Sequence, residues 1–217
     1  YQLMKNFSFL EKLTLIAIEN NTSGFGYIKN PYLYGDVSIS RTARYFPATF
    51  IFKPFIIFSA IFLFFYWRNS FNLFKELESK NILVKSPKKF YYLGVFSCIF
   101  LILHALFLGI DFDSELLQKL RRVIIILFIL FEILAQYFLT RRLYLSLNKI
   151  DSLIYSNILN LKIIFVSTII ISSVIILAIL SFSNLDSKID YILEWNYFLF
   201  LMVFYLLSAI LWRKQII

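Results

Sequence analysis

The sequence predicts an all-α protein, a polytopic bundle of membrane helices, and three observations carry that prediction. Hydrophobic residues make up 60% of the 217 and charged residues only 16%, a balance far from that of soluble globular domains. Apolar runs long enough to cross a hydrocarbon core of about 30 Å recur along the chain. The runs are continuous, as in VIIILFILF and IIFVSTIIISSVIILAIL, whereas a closed β-barrel needs alternating apolar and polar positions.

Five crossings follow, each bounded by charged or turn-forming residues: Phe50 to Trp67, Tyr91 to Ile110, Val123 to Thr140, Ile163 to Phe182 and Trp195 to Trp212. None is amphipathic enough to prefer lying on a membrane surface. Residues 1–49 then form a non-cytoplasmic N-terminal segment with a loop leading into the first crossing, and residues 50–217 the transmembrane bundle. Within the N-terminal segment, Phe9, Leu13 and Ile16 share one face of a short helix, and NNTSGFGYIKNP reads as loop. Asn6, Asn20 and Asn21 each begin an N-x-Ser/Thr pattern, which matters only where this side is glycosylated.

Lys and Arg are retained in cytoplasmic loops, so their distribution orients the bundle. The loop from Arg68 to Lys89 is basic, the loop after the third crossing carries Arg141, Arg142, Lys149 and Lys162, and the tail carries Arg213 and Lys214. These segments are expected in the cytoplasm, the C-terminus included. The opposite loops, IDFDSELLQ and NLDSKIDYILE, are acidic. The long N-terminal segment then lies outside the cytoplasm, although the chain starts at Tyr1 and has no charged region followed by an apolar stretch to carry it across. Two expectations are open: a helix precedes this sequence, giving six in the intact protein, or the short tail translocates by itself.

Charge and cysteine exclude several classes. The formal net charge is +9, but the basic residues flank membrane spans, where anionic lipid headgroups are the nearer partner, so nucleic acid is not expected. Cys98 is the single cysteine and permits no internal disulfide. With one histidine and one cysteine the chain builds no usual zinc site, and it shows no P-loop or dinucleotide glycine pattern. Neither a metal nor a cofactor is expected.

The threshold of the first crossing reads VSISRTARYFPATFIF. Ser38, Ser40 and Thr42 suit a turn, Pro47 suits the first turn of a helix, and Arg41 and Arg44 lie three apart at interfacial depth. Two readings of the arginines stand, forked hydrogen bonds to lipid phosphates or simple anchoring of a helix end. The stretch resembles the loop leading into the second helix of the Frag1/DRAM/Sfk1 family of six-helix membrane proteins, with Ile39, Ser40, Thr42, Tyr45, Pro47, Ile51 and Phe52 matching without a gap. Arg41 stands where an acidic residue is usual, Ala43 where Gly is usual and Ala48 where Glu is common. Glu194 and Trp195 likewise resemble the start of that family's final helix. The resemblance implies a non-catalytic protein that binds, senses or helps remodel membrane lipids; the apolar spans by themselves set the expected location, an inner cell membrane in a prokaryote or an endomembrane or plasma membrane in a eukaryote. Ser40, Arg41, Arg44 and Pro47 are the candidate lipid contacts.

Polar residues inside the crossings mark a second candidate site. Glu132 lies in the middle of the third crossing, where an ionised side chain costs about 2.5 to 3.5 kcal/mol, so it is expected to face protein. Gln136 follows one turn later on the same face, and His104 lies in the second crossing within conceivable reach of Glu132. Such a pair serves either as a proton-responsive or substrate-binding site or as a structural interhelical hydrogen bond. Ser167, Thr168, Ser172 and Ser173 read as packing residues, and Tyr66, Trp67, Trp195, Tyr197 and Trp212 as an interfacial belt. Two other functional classes remain: an intramembrane lipid-modifying enzyme, or a small transporter or subunit with a membrane-protein partner.

Overall fold

The computed structural model describes residues 30–34, 38–43, 47–83, 88–108, 110, 114–182 and 187–212. Among them the helices are α1 (Pro31–Tyr34), α2 (Ile39–Thr42), α3 (Ala48–Ser79), α4 (Lys89–Phe107), α5 (Glu115–Leu145), α6 (Leu147–Ile150), α7 (Ser156–Phe182) and α8 (Ser187–Leu211). The only non-helical pairing among these residues is an isolated antiparallel bridge between Ile154 and Trp212. The expected short helix around Phe9, Leu13 and Ile16 lies outside the described residues.

Five of the helices, α3, α4, α5, α7 and α8, are long and apolar enough to cross a membrane. Large side chains crowd their outer faces: on α3, Phe50, Phe55 and Phe62 are 75%, 67% and 72% exposed. Water would not tolerate so continuous an apolar surface, whereas hydrocarbon does. The chain is an integral membrane protein.

α4 packs against both α3 and α5, α5 against α7, and α7 against α8, while α1 and α2 lie on α8. The core between them is built from large residues, with Trp67, Phe74, Phe90, Leu143, Ile150, Leu159 and Phe204 almost completely buried. One end of the bundle gathers the close of α3, the start of α4, the close of α5, the start of α7 and the close of α8. There Arg142 pairs with Glu78 and lies 4.4 Å above the Phe74 ring. At the same end the Tyr155 amide donates to the Leu211 carbonyl at 3.0 Å. These are the loops whose basic residues marked them as a common side.

Three expectations change here. The first crossing was read as ending at Trp67, but α3 runs on to Ser79, about 18 Å further. Phe74 and Leu77 recur at helical spacing after Trp67 and are buried with it, so the polar residues between them do not break the helix. It stops where Asn81 adopts φ 57, the Ile82 amide reaching the Leu77 carbonyl at 3.0 Å and the Asn81 amide the Glu78 carbonyl at 3.1 Å. That is a left-handed cap with asparagine in the place glycine usually takes. Trp67 is therefore fully buried in the core and not part of an interfacial belt.

Second, the turn expected over residues 38–43 is helical. They make the one-turn helix α2, with the Thr42 hydroxyl donating to the Ile39 carbonyl at 2.7 Å. Pro47 occupies the N-cap of α3, which no side chain caps. Third, Lys162 is not a loop residue. It sits on the second turn of α7 with no exposed surface.

Candidate functional site

Glu132 projects from α5 into the middle of the bundle and is completely buried. Its apolar neighbours in sequence keep α5 helical and turn this position inward. Three helices contribute its partners. Ser97 on α4 places its hydroxyl 2.6 Å from Oε2, Gln136 one turn along α5 donates its amide to Oε1 at 3.1 Å, and the Tyr205 hydroxyl of α8 donates to Oε1. The indole N–H of Trp67 on α3 faces the same carboxyl without reaching hydrogen-bond geometry.

Gly94 makes the arrangement on α3 and α4 possible. A Cβ at this position would lie 2.3 Å from Cδ2 of Trp67, closer than any non-bonded carbon contact, so only glycine lets the indole lie flat on α4. The Gly94 carbonyl also receives the Ser97 hydroxyl at 2.8 Å and the Cys98 thiol at 3.1 Å. Cys98 is thus a buried residue bonded to its own helix, as a small filler would be.

A second polar cluster lies on the side of the bundle where α7 begins. The Lys162 ammonium donates to Ser208 Oγ at 2.7 Å and stands 4.1 Å above the Phe204 ring. Ser208 in turn donates to the Phe204 carbonyl at 2.8 Å, and Tyr66 donates to Ser208 at 3.2 Å. A cavity of about 30 Å³ adjoins these groups, its polar lining supplied by Tyr66, Ser70, Lys162 and Ser208. Such a space accommodates one water with several polar partners. Tyr66 joins the two clusters, because its ring packs edge-on against that of Tyr205 at 4.8 Å and 89°.

Of the three intramembrane candidates, the fold brings Glu132 and Gln136 together and leaves His104 apart. His104 is on the same helix as Ser97 but about two turns further along, and its Nδ1 is buried without a hydrogen-bond partner. The Glu132–His104 pair does not form, since Ser97 is the α4 residue level with the carboxyl. Tyr205, Ser97, Lys162 and Ser208 had no individual signal in the sequence that set them apart from packing or loop residues.

Of the candidate lipid contacts, the backbone positions of Ser40, Arg41 and Pro47 are among the described residues and lie at the opposite end from Arg142. Ile39, Ser40 and Arg41 are on α2, and Phe52 is in the second turn of α3. Arg44 falls outside the described residues, as do the side chains of Ser40 and Arg41. α1 and α2 rest on the first turns of α8, which carry Glu194 and Trp195. The Tyr32 ring meets Trp195 edge-on at 5.6 Å, and the Asn196 amide donates to the Tyr32 carbonyl at 3.0 Å.

On α7, Thr168 bonds back to the Ile164 carbonyl, and Ser172 and Ser173 to that of Ile169. Ser167 is exposed on the outer face of the helix. Among the described residues no group of three His, Cys, Asp or Glu side chains could hold a metal ion. Compared with protein-family models, with curated proteins and with solved structures, the chain matches none.

Proposed function

We propose that this integral membrane protein is non-catalytic and binds, senses or helps remodel a membrane lipid, with Arg41 and Arg44 contacting the headgroup and the intramembrane site around Glu132 close by. In this reading the end bearing Arg142 and the C-terminus faces the cytoplasm, and α1 and α2 face the other side. The observation that supports it is the packing of α1 and α2 on the start of α8. The two segments that resemble the Frag1/DRAM/Sfk1 signature are far apart in sequence yet meet at one end of the bundle. In this reading Arg41 meets the headgroup through the paired, charge-assisted bonds that a guanidinium forms to phosphate.

Native mass spectrometry of the protein extracted gently from its own membrane, with the retained lipids identified after release, tests the reading. One class of anionic lipid held by the wild type and reduced about tenfold in the double variant Arg41→Ala and Arg44→Ala is the expected result, equivalent to the loss of one or two charge-assisted bonds. Lipid retention unchanged in that variant would end it. A stoichiometric protein partner in place of lipid would make the chain a membrane-complex subunit.

A further inference from the structure

Among the described residues, Glu132 and Lys162 are ionisable side chains of opposite sign with no exposed surface, and neither is ion-paired. Their hydrogen-bond surroundings differ in one respect that bears on protons. With Lys162 charged, Ser208 accepts from Lys162 and Tyr66 and turns its own hydrogen to the Phe204 carbonyl. Ser97 has two acceptors in reach and a single hydrogen, with Gly94 O at 2.8 Å and Glu132 Oε2 at 2.6 Å. When Glu132 is ionised, Ser97 donates to it. When Glu132 is protonated on Oε2, that oxygen donates to Ser97 Oγ and the serine hydrogen turns to Gly94; when it is protonated on Oε1, it donates to the Tyr205 oxygen and Ser97 keeps its bond to Oε2. The site therefore holds both forms of the carboxyl without moving a heavy atom.

We propose that Glu132 and Lys162 form one intramembrane proton-exchange site, in which Glu132–COOH and Lys162–NH2 interconvert with Glu132–COO− and Lys162–NH3+. Transfer starts with the carboxyl hydrogen on Oε1: the Oε1–H bond breaks as the Tyr205 oxygen takes that hydrogen. Tyr205, Tyr66 and Ser208 each pass their own hydrogen onward, the last turning from the Phe204 carbonyl to form the Nζ–H bond, and Ser97 donates to Oε2 of the carboxylate left behind. The net charge of the interior stays at zero in both forms, which a hydrocarbon surrounding favours over any state with a lone charge. The route runs from Oε1 through Tyr205 to Tyr66, then through Ser208 directly to Nζ. Its one step without a direct hydrogen bond is Tyr205 to Tyr66, whose rings touch edge-on, and one proposed water bridges the two hydroxyls.

The groups around Glu132 are Tyr66 and Trp67 from α3, Ser97 and Cys98 from α4, and Tyr197 and Tyr205 from α8. Those around Lys162 are Tyr66 and Ser70 from α3, Leu139 and Leu143 from α5, and Phe204 and Ser208 from α8. The site is thus a donor and an acceptor joined by neutral hydroxyls, independent of any lipid contact at Arg41.

Infrared spectroscopy of the protein in phosphatidylcholine nanodiscs tests this through the carboxylic-acid carbonyl band of Glu132, identified by its loss in Glu132→Gln. Lys162→Met removes the counter-charge and is expected to raise that band about twofold, whereas Lys162→Arg, which stays charged, is expected to abolish it. A band of equal size in wild type, Lys162→Met and Lys162→Arg would overturn the proposal. Where a lysine variant fails to fold, Ser208→Ala keeps both ionisable groups and interrupts the route. Deuterium exchange at the Glu132 carboxyl is then expected to slow about tenfold, and an unchanged rate overturns the route.

Discussion

Glu132 and Lys162 are equally buried, yet the bundle holds them in opposite ways. The carboxyl meets donors from α4, α5 and α8, with the Trp67 indole of α3 facing it. The ammonium has one hydroxyl, one ring face and a small cavity. A carboxyl accepts at two oxygens and draws neighbours from several directions, so it organises the helices around it. A lysine reaches its single partner on a flexible stem whose methylenes pack like any apolar chain. Burial alone therefore does not measure what a charged residue contributes to the fold. The number of groups left without a partner on its removal does.

The largest effect should come from breaking the carboxyl side. Glu132→Ala leaves the Tyr205 hydroxyl and the Gln136 amide without their acceptor, while Ser97 keeps the Gly94 carbonyl, and each stranded group costs about 1 to 3 kcal/mol. A loss of about 3 to 5 kcal/mol is expected in denaturant unfolding of the micelle-embedded protein. Glu132→Gln keeps one acceptor oxygen and should lose less than half of that. If Glu132→Ala unfolded at the same denaturant concentration as wild type, the carboxyl would not organise the helices at all.

A smaller effect sharpens the same contrast from the backbone. Gly94→Ala drives a methyl into the Trp67 ring, where the nearest atom already stands 2.3 Å away. Either the indole or all of α3 must shift, a change that typically costs about 1 to 3 kcal/mol. The shift falls on the Glu132 side, because Gly94 also carries the carbonyl that Ser97 and Cys98 use. A lowered Tm should be partly restored by Trp67→Leu in the same chain, which vacates the ring's volume. Equal Tm values for Gly94→Ala with and without Trp67→Leu would show that the two residues do not touch in the membrane.

What the sequence disclosed follows the same line between the two regions. The helical class, the five apolar spans and the inward-facing Glu132 with Gln136 were all legible, since a carboxylate in the middle of VIIILFILFEILAQ has only one physical excuse. Lys162 was not legible. It stands just before the apolar run of α7, among loop residues, where a lysine ordinarily counts as a cytoplasmic anchor. Only the approach of Tyr66 and Ser208, from helices remote in sequence, turns that position into the interior. The partner of Glu132 escaped for a related reason: depth along a span is readable to a turn or so, and the choice between His104 and Ser97 on α4 depends on a finer register. Trp67 was placed at an interface because the charged Arg68 follows it, whereas Phe74 and Leu77 keep the inner face of α3 apolar past that point.

The smallest expected effect completes the comparison on the lysine side. Lys162→Met keeps the length and most of the volume of the stem while removing the ammonium. Ser208 loses a donor to its oxygen but still receives Tyr66 and still donates to the Phe204 carbonyl, so nothing is stranded. Replacing a buried charge by an apolar side chain of similar size is often neutral or stabilising. Stability within about 1 kcal/mol of wild type is therefore expected, with the thioether resting on the Phe204 face in place of the ammonium. A loss as large as that of Glu132→Ala would mean that the ammonium, like the carboxyl, binds helices together. A near-neutral result would leave the fold no reason to bury a charge at this position, and would place the reason for Lys162 in what the protein does with it.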